Sequence, residues 1–358
     1  MSKLIEHLIC PEIQNLDAYQ VPDTAGLIKL DAMENPYTWP KGLRHEWLEA
    51  LRVVHLNRYP DPRGDELRAV LRASMGIPDA MGLLLGNGSD ELIQMLALAV
   101  AQPGRRILSL DPGFVMYRMI ALFAGMEYVG VPLRAEDFSL DLSALLAALE
   151  KEQPAIVFVA YPNNPTGNLF DADAVVRIIE AAPGLVILDE AYAPFTDYSF
   201  LPRLGDWPNL VVMRTLSKMG LAGLRLGYLA GPNELLAEIN KTRLPYNVGV
   251  LTQVSAVFAL HHRGVLDEQT QRIRVERSRL FAKLSRLDGI RPYPSEANFI
   301  LLRVPAGQAG EIFKSLKRNG VLVKNLDGTQ PLLEDCLRVT VGRAEENDTF
   351  LAALASAL

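Results

Sequence analysis

The stretch from Leu210 to Tyr228, LVVMRTLSKMGLAGLRLGY, joins a short apolar run to a lysine inside a glycine-rich turn. Its first four residues read as a buried strand, which the chain leaves through Ser217 and Lys218. An ammonium at such a place is costly to desolvate unless it is paired or loses its charge, and the glycines around it mark close packing on the backbone. The plain alternative is a surface loop whose lysine is solvated.

The same strand-then-turn pattern recurs upstream. From Leu84 onward a Gly-rich turn at 86–88 is followed by the helix-patterned DELIQMLALAVA, the strand-like RRILSL, the helical VMYRMIALFAGM, the strand-like EYVGVPL, the helical DLSALLAALEKE and the strand-like AIVFVAY. A helix near 171–182 and the run LVILDE precede the opening stretch. Apolar strands separated by amphipathic helices predict an α/β fold with a mostly parallel sheet covered on both faces. Beyond it, a helical stretch is expected over 250–287, then GIRPYPSEANFILLRV, GVLVKNL and CLRVTVG alternating with AGEIFKSLKRNG and ENDTFLAALASAL. The chain therefore divides into an arm over 1–45 that contributes to a smaller unit, a large domain over 46–247, and a small α+β domain over 248–358.

Bulk composition narrows the function classes. The chain has 358 residues, 49 % hydrophobic and 22 % charged, so a large core is within reach, and a net charge of -6 gives no reason to expect nucleic acid. Cys10 and Cys336 form no CxxC pair, and His261-His262 point different ways on a helix, so neither a disulfide framework nor a metal site is expected. No run reaches the roughly 18 to 20 apolar residues needed to span a bilayer, and a cytoplasmic protein is expected.

Three strand-like runs end in polar residues. AIVFVAY enters Pro162-Asn163-Asn164-Pro165-Thr166-Gly167, LVILD ends at Asp189 followed by Glu190 and Tyr192, and LVVMRTL ends at Ser217-Lys218. Each alone has an ordinary reading: a turn, a helix cap, a solvated loop lysine. In an open α/β sheet, however, all three endings converge on the crevice outside the carboxyl ends of the strands. A fourth element, GNGSDE at Gly86 to Glu91, directly precedes a helix and offers an anion cradle at Gly88, Ser89 and Asp90; the alternative is simple capping, and the charge of Asp90 suits a phosphate only if it faces away. Pyridoxal phosphate uses this set. Lys218 would form its Schiff base and move protons, Asp189 would hold the pyridine nitrogen protonated, and Asn164 and Tyr192 would bond the ring oxygen. Phe114 would stack on the ring, although an aromatic at that spacing is as often core.

In this order and at these separations, YPNNPTGN, ILDEAY, TLSKMGLAGLRLGY and CLRVTVG resemble the fold type I (aspartate-aminotransferase-like) pyridoxal-phosphate enzymes, and within them the histidinol-phosphate aminotransferases. The resemblance runs from LDAMENPY at 30–37 to the C-terminal strand. It implies the cofactor roles just given, with Ser89, Asp90, Ser217 and Arg225 in the phosphate cup. It further implies a homodimer in which Tyr59 reaches the other subunit's cofactor phosphate, an anion-gripping Arg338, and substrate-side positions at Tyr19 and Asn35. Lys218 to Arg225 is one residue shorter than the usual spacing, and Lys324 stands where relatives carry a second arginine, supplying charge without a bidentate fork. The activity implied is transfer of an amino group between L-histidinol phosphate and 2-oxoglutarate in histidine biosynthesis. An aromatic or broad-specificity aminotransferase, a threonine-phosphate decarboxylase and, from another class, a non-catalytic cofactor-binding sensor are the alternatives.

Overall fold

The computed structural model describes residues 2–16, 18 and 23–358. Twelve strands are present among them: β1 (Ile28–Leu30), β2 (Gly82–Gly86), β3 (Arg106–Asp111), β4 (Glu127–Pro132), β5 (Ile156–Ala160), β6 (Leu185–Asp189), β7 (Leu210–Thr215), β8 (Gly227–Gly231), β9 (Arg291–Pro292), β10 (Phe299–Arg303), β11 (Val321–Asn325) and β12 (Cys336–Thr340). The large sheet has the order β2-β8-β7-β6-β5-β3-β4, parallel except for β8, which runs against both neighbours. Alternate residues feed two cores. Val157, Val159, Val186, Leu188 and Val212 face one, while Ile156, Phe158, Ile187, Val211 and Met213 face the other. That two-sided burial is why these strands read as continuous apolar runs rather than as alternating ones.

The helices that cover the sheet are set by ordinary local chemistry. Asp141 and Asp171 cap the helices Leu142–Glu152 and Ala172–Ala181 by accepting from Ala144 and Ala174 N–H groups. Val175, Ile178 and Ile179 then form the buried stripe of the second helix. Among the described residues, no helix is long and apolar enough to cross a membrane.

A second sheet, β1-β11-β12-β10-β9, carries the C-terminal motifs. Here β1, from the N-terminal segment, pairs parallel with β11, and β12 lies antiparallel between β11 and β10. The stretch over 250–287 is two helices, Val250–His261 and Arg263–Leu284, separated at His262, which leaves helical geometry at φ -107° and ψ 27°. No proline marks that break, so periodicity alone read through it. Strand β8 also escaped the periodicity reading, because it is five residues bounded by glycines. Gly227 is required there: a Cβ would lie 2.9 Å from Gly88 C and Ser89 N, so the strand passes directly under the Gly-rich turn.

The chain runs from β3 outward to β4 and returns to β5 on the other side of β3. The crevice beyond the carboxyl ends of β3 and β5 is therefore a topological switch point. Asn163 ties the two ends together, its amide donating to Pro112 O at 3.0 Å and to Thr166 Oγ1 at 2.7 Å.

Candidate active site

A cavity of about 360 Å³ opens at that end of the sheet. Its walls include Asn164 after β5, Asp189 and Tyr192 after β6, Ser217 and Lys218 after β7, Phe114 after β3, and Ser89, Asp90 and Arg225 at the Gly-rich turn. Adjacent strands set the level of these groups, since Asp189 lies in register with Ala160 on one side and Met213 on the other. A buried ion pair fastens the same strands behind the cavity: Arg214 donates to Glu190 Oε2 from Nε at 2.9 Å and Nη2 at 2.7 Å, and Ser199 Oγ and Phe200 N donate to the same carboxylate. Breaking one partner of such a pair leaves an uncompensated charge, so the pair fixes how the ends of β6 and β7 sit together.

Lys218 projects from a tight turn over Ser217–Leu221. Its ammonium donates to Ala32 O at 3.4 Å and lies 5.8 Å from the centre of the Tyr192 ring. Burial, followed by the charge of Arg338, lowers its pKa to about 8. The amine at the end of a buried strand thus sheds its proton closer to neutrality than an exposed lysine does.

Asp189 is 5 % exposed. Its Oδ2 accepts from Tyr117 Oη at 2.6 Å and its Oδ1 from Ala191 N at 3.1 Å. Burial raises its pKa to about 6, and these hydrogen bonds pull in the opposite direction. Tyr117 does not stand out in the sequence. Its ring stacks on Phe158 at 4.5 Å and meets Phe114 edge-on at 5.5 Å, so the apolar helix pattern hid a hydroxyl aimed at the site. The available signal was a tyrosine on the buried face of that helix, whose hydroxyl needs a partner. Tyr117→Phe removes a bond that favours the carboxylate, so the Asp189 pKa rises further above about 6. Activity at pH 7 is expected to fall roughly tenfold, as for a lost hydrogen bond to a charged group, and to recover partly as pH rises, which a pH–rate profile checks.

Arg225 adopts φ +49° and reaches Asp90 Oδ2 at 3.2 Å. A Cβ on Gly88, whose φ is +86°, would lie 2.7 Å from the Arg225 guanidinium, so the glycine admits the arginine to the turn. The one-residue shortening of the loop still delivers Arg225 to the helix start, where it opposes the charge of Asp90. Arg338, buried on β12, donates to Asn164 Oδ1 at 2.6 Å and to Asp31 O at 2.9 Å. Lys324 is its register partner on β11, so the two side chains leave one face of that sheet.

The remaining sequence candidates lie elsewhere. Asn35 does not line the cavity: its amide donates to Met219 O and Gln269 Oε1, both at 3.1 Å, and its carbonyl accepts from Tyr37 N. It braces the Lys218 turn from behind, because its side chain is consumed by these bonds. Tyr59 is 79 % exposed and stacks on Tyr246 at 4.4 Å, outside the cavity of its own chain. Tyr19 lies outside the described residues.

The family model for aminotransferases of class I and II matches residues 25–354. The chain belongs to this family. Two relatives of this aminotransferase are histidinol-phosphate aminotransferase 2 of Nitrosococcus oceani, 59 % identical over 97 % of this chain and 96 % of that one, and histidinol-phosphate aminotransferase of Chromobacterium violaceum, 53 % identical over 99 % of both. Histidinol-phosphate aminotransferase of Sinorhizobium meliloti, solved in complex with pyridoxal-5'-phosphate, superimposes with a TM-score of 0.87 at 27 % identity, covering 98 % of this chain and 97 % of that one. The fold is that of the fold type I enzymes, and the family implies pyridoxal phosphate. The aminotransferase's own residues fit that group: one cavity joins an amine of lowered basicity, a buried carboxylate, an aromatic face and an arginine beside a helix start.

Proposed function

We propose that this aminotransferase moves an amino group reversibly between L-histidinol phosphate and 2-oxoglutarate, giving imidazole-acetol phosphate and L-glutamate, within L-histidine biosynthesis. The observation that carries the substrate is the 59 % and 53 % identity, over nearly the whole of both chains, to proteins named histidinol-phosphate aminotransferase. The local chemistry agrees, since Arg338 and Lys324 put positive charge on one sheet face beside Asn164, suited to a phosphate ester or a carboxylate.

Pyridoxal phosphate, when bound, supplies an electron sink that acidifies the substrate's Cα–H. Lys218 would hold it covalently and then act as the base that takes up and returns that proton, a task suited to a pKa near 8. The Asp189 carboxylate, oriented by Tyr117, would pair with the ring nitrogen. Asn164 and Tyr192 would bond the ring oxygen, and Phe114 would cover a ring face. Gly88, Ser89, Asp90, Ser217 and Arg225 would form the phosphate end, with Arg225 offsetting Asp90. Tyr59 would serve the site of a second copy of this chain in a homodimer. Its exposure supports this, as does that of Val53, Leu56 and Leu244, apolar side chains that a monomer would leave in water. Tyr19 would meet substrate from the N-terminal arm. A cytoplasmic location suits two unpaired cysteines, Cys10 and Cys336.

The test is a donor panel with 2-oxoglutarate as acceptor: histidinol phosphate, phenylalanine and threonine phosphate, with glutamate and carbon dioxide both measured. Glutamate formation is expected to be fastest with histidinol phosphate, without carbon dioxide. A preference for phenylalanine would move the assignment to an aromatic aminotransferase, and carbon dioxide from threonine phosphate to a decarboxylase.

A further inference from the structure

The segment Asp31 to Asn35, of which Ala32, Met33 and Glu34 line the cavity, makes three contacts with the parts around it. Asp31 O accepts from Arg338, Ala32 O accepts from the Lys218 amine, and Asn35 donates to Met219 O in the Lys218 turn. Its one charged side chain among the cavity-lining residues is Glu34. Two other carboxylates line the cavity, and both are engaged: Asp189 by Tyr117 and the Ala191 N–H, Asp90 by Arg225. Glu34 is paired as well, at one oxygen: half of its side chain is exposed, and Oε2 accepts from Lys29 at 2.6 Å, a residue that does not line the cavity.

The proposed reaction sets this cavity an asymmetric problem, and the role of Glu34 rests on that reaction. The two amino-group donors are histidinol phosphate and, in reverse, glutamate. Their phosphate and carboxylates are anions, which Arg338, Arg225 and Lys324 attract and Glu34 repels. The imidazole is the exception, since it offers an N–H donor and, with an ordinary pKa near 6.5, an accessible positive charge. We propose that Glu34 is the specificity residue for the imidazole ring of the amino donor, accepting its N–H, and that Lys29 neutralises Glu34 when the second carboxylate of glutamate occupies the cavity instead. A hydrogen bond to a charged acceptor is worth about tenfold to a hundredfold in affinity, enough to separate an imidazole from a phenyl ring of similar size.

The experiment uses the holoenzyme and an unreactive ligand pair, 3-(imidazol-4-yl)propyl phosphate and 3-phenylpropyl phosphate, which lack the amine. Calorimetry on the wild type is expected to show the imidazole compound binding at least about tenfold more tightly. Glu34→Ala should reduce that ratio to near one, with Glu34→Gln intermediate because its amide oxygen still accepts. The ratio of kcat/KM for histidinol phosphate to that for glutamate should fall in parallel. Thermal melting of each variant shows that it is folded, and a ratio of two ligands is insensitive to a uniform loss of active protein. A wild-type preference retained in both variants would overturn the role of Glu34 and leave the proposed function standing. A wild type that does not transaminate histidinol phosphate would overturn both.

Discussion

Lys218→Ala is expected to lower transamination by at least about 10⁴-fold, the upper range for a positioned acid or base, because in the proposed function one amine would both anchor the cofactor and carry the proton. No neighbouring group replaces it. The polar side chains around it are already committed: Tyr192 is a buried phenol whose pKa is raised by burial, Asn164 accepts from Arg338, and Asp189 is held by Tyr117. The loss should lie in kcat, with the fold unaffected, since alanine at the cavity wall removes a half-buried charge rather than a core side chain. Exogenous small amines should restore part of the rate, because the missing chemistry is that of an amine in a preformed cavity. Single-turnover rates with and without methylamine check both statements.

Asp189→Asn is expected to cost on the order of 10³-fold in kcat, comparable to deleting a preorganised electrostatic partner of the reacting group. Shape is nearly conserved, so the change isolates charge. The carboxylate's environment shows how finely that charge is held. Burial raises its pKa to about 6, so at pH 7 the anion exists largely because of the hydrogen bonds from Tyr117 and Ala191 and the nearby Lys218. The same shift sets a pH dependence of stability in the protein without cofactor. A carboxyl with a raised folded pKa is protonated in the native state and ionised in the unfolded one between about pH 4 and 6, so stability falls as pH rises through that window. In Asp189→Asn that part of the pH dependence should disappear from the melting curves, while the rate loss persists at every pH.

Both effects trace to features that differ in how visible they are in the sequence. The carboxyl ends of β5, β6 and β7 were legible because fully buried strands leave continuous apolar runs, against which Asn164, Asp189 and Lys218 stand out. The Gly-rich turn was legible for the same reason. What packs under it was not: β8 is short and bounded by glycines, and only the 2.9 Å approach of Gly227 to the turn explains the first of them. Tyr117 was hidden because the rest of its helix face is apolar, so one hydroxyl changes nothing in the periodicity. Glu190 stands out in the sequence as the neighbour of Asp189, but its partner Arg214 is 24 residues away and becomes a partner only when β6 and β7 pair. Asn35, which the family resemblance puts on the substrate side, makes three hydrogen bonds to the scaffold beside Lys218, and two of those partners, Met219 and Gln269, are 184 and 234 residues away in the chain, so the sequence does not show them.

The central claim is that the strand ends assemble a cofactor site whose covalent anchor is Lys218. Borohydride reduction of the holoenzyme, proteolysis and mass spectrometry of the modified peptide test it without any assumption about substrate. A pyridoxyl label on the peptide containing Lys218, absent from Lys218→Ala, is the predicted result; a label on Lys324 or any other lysine, or none at all on active enzyme, would contradict it.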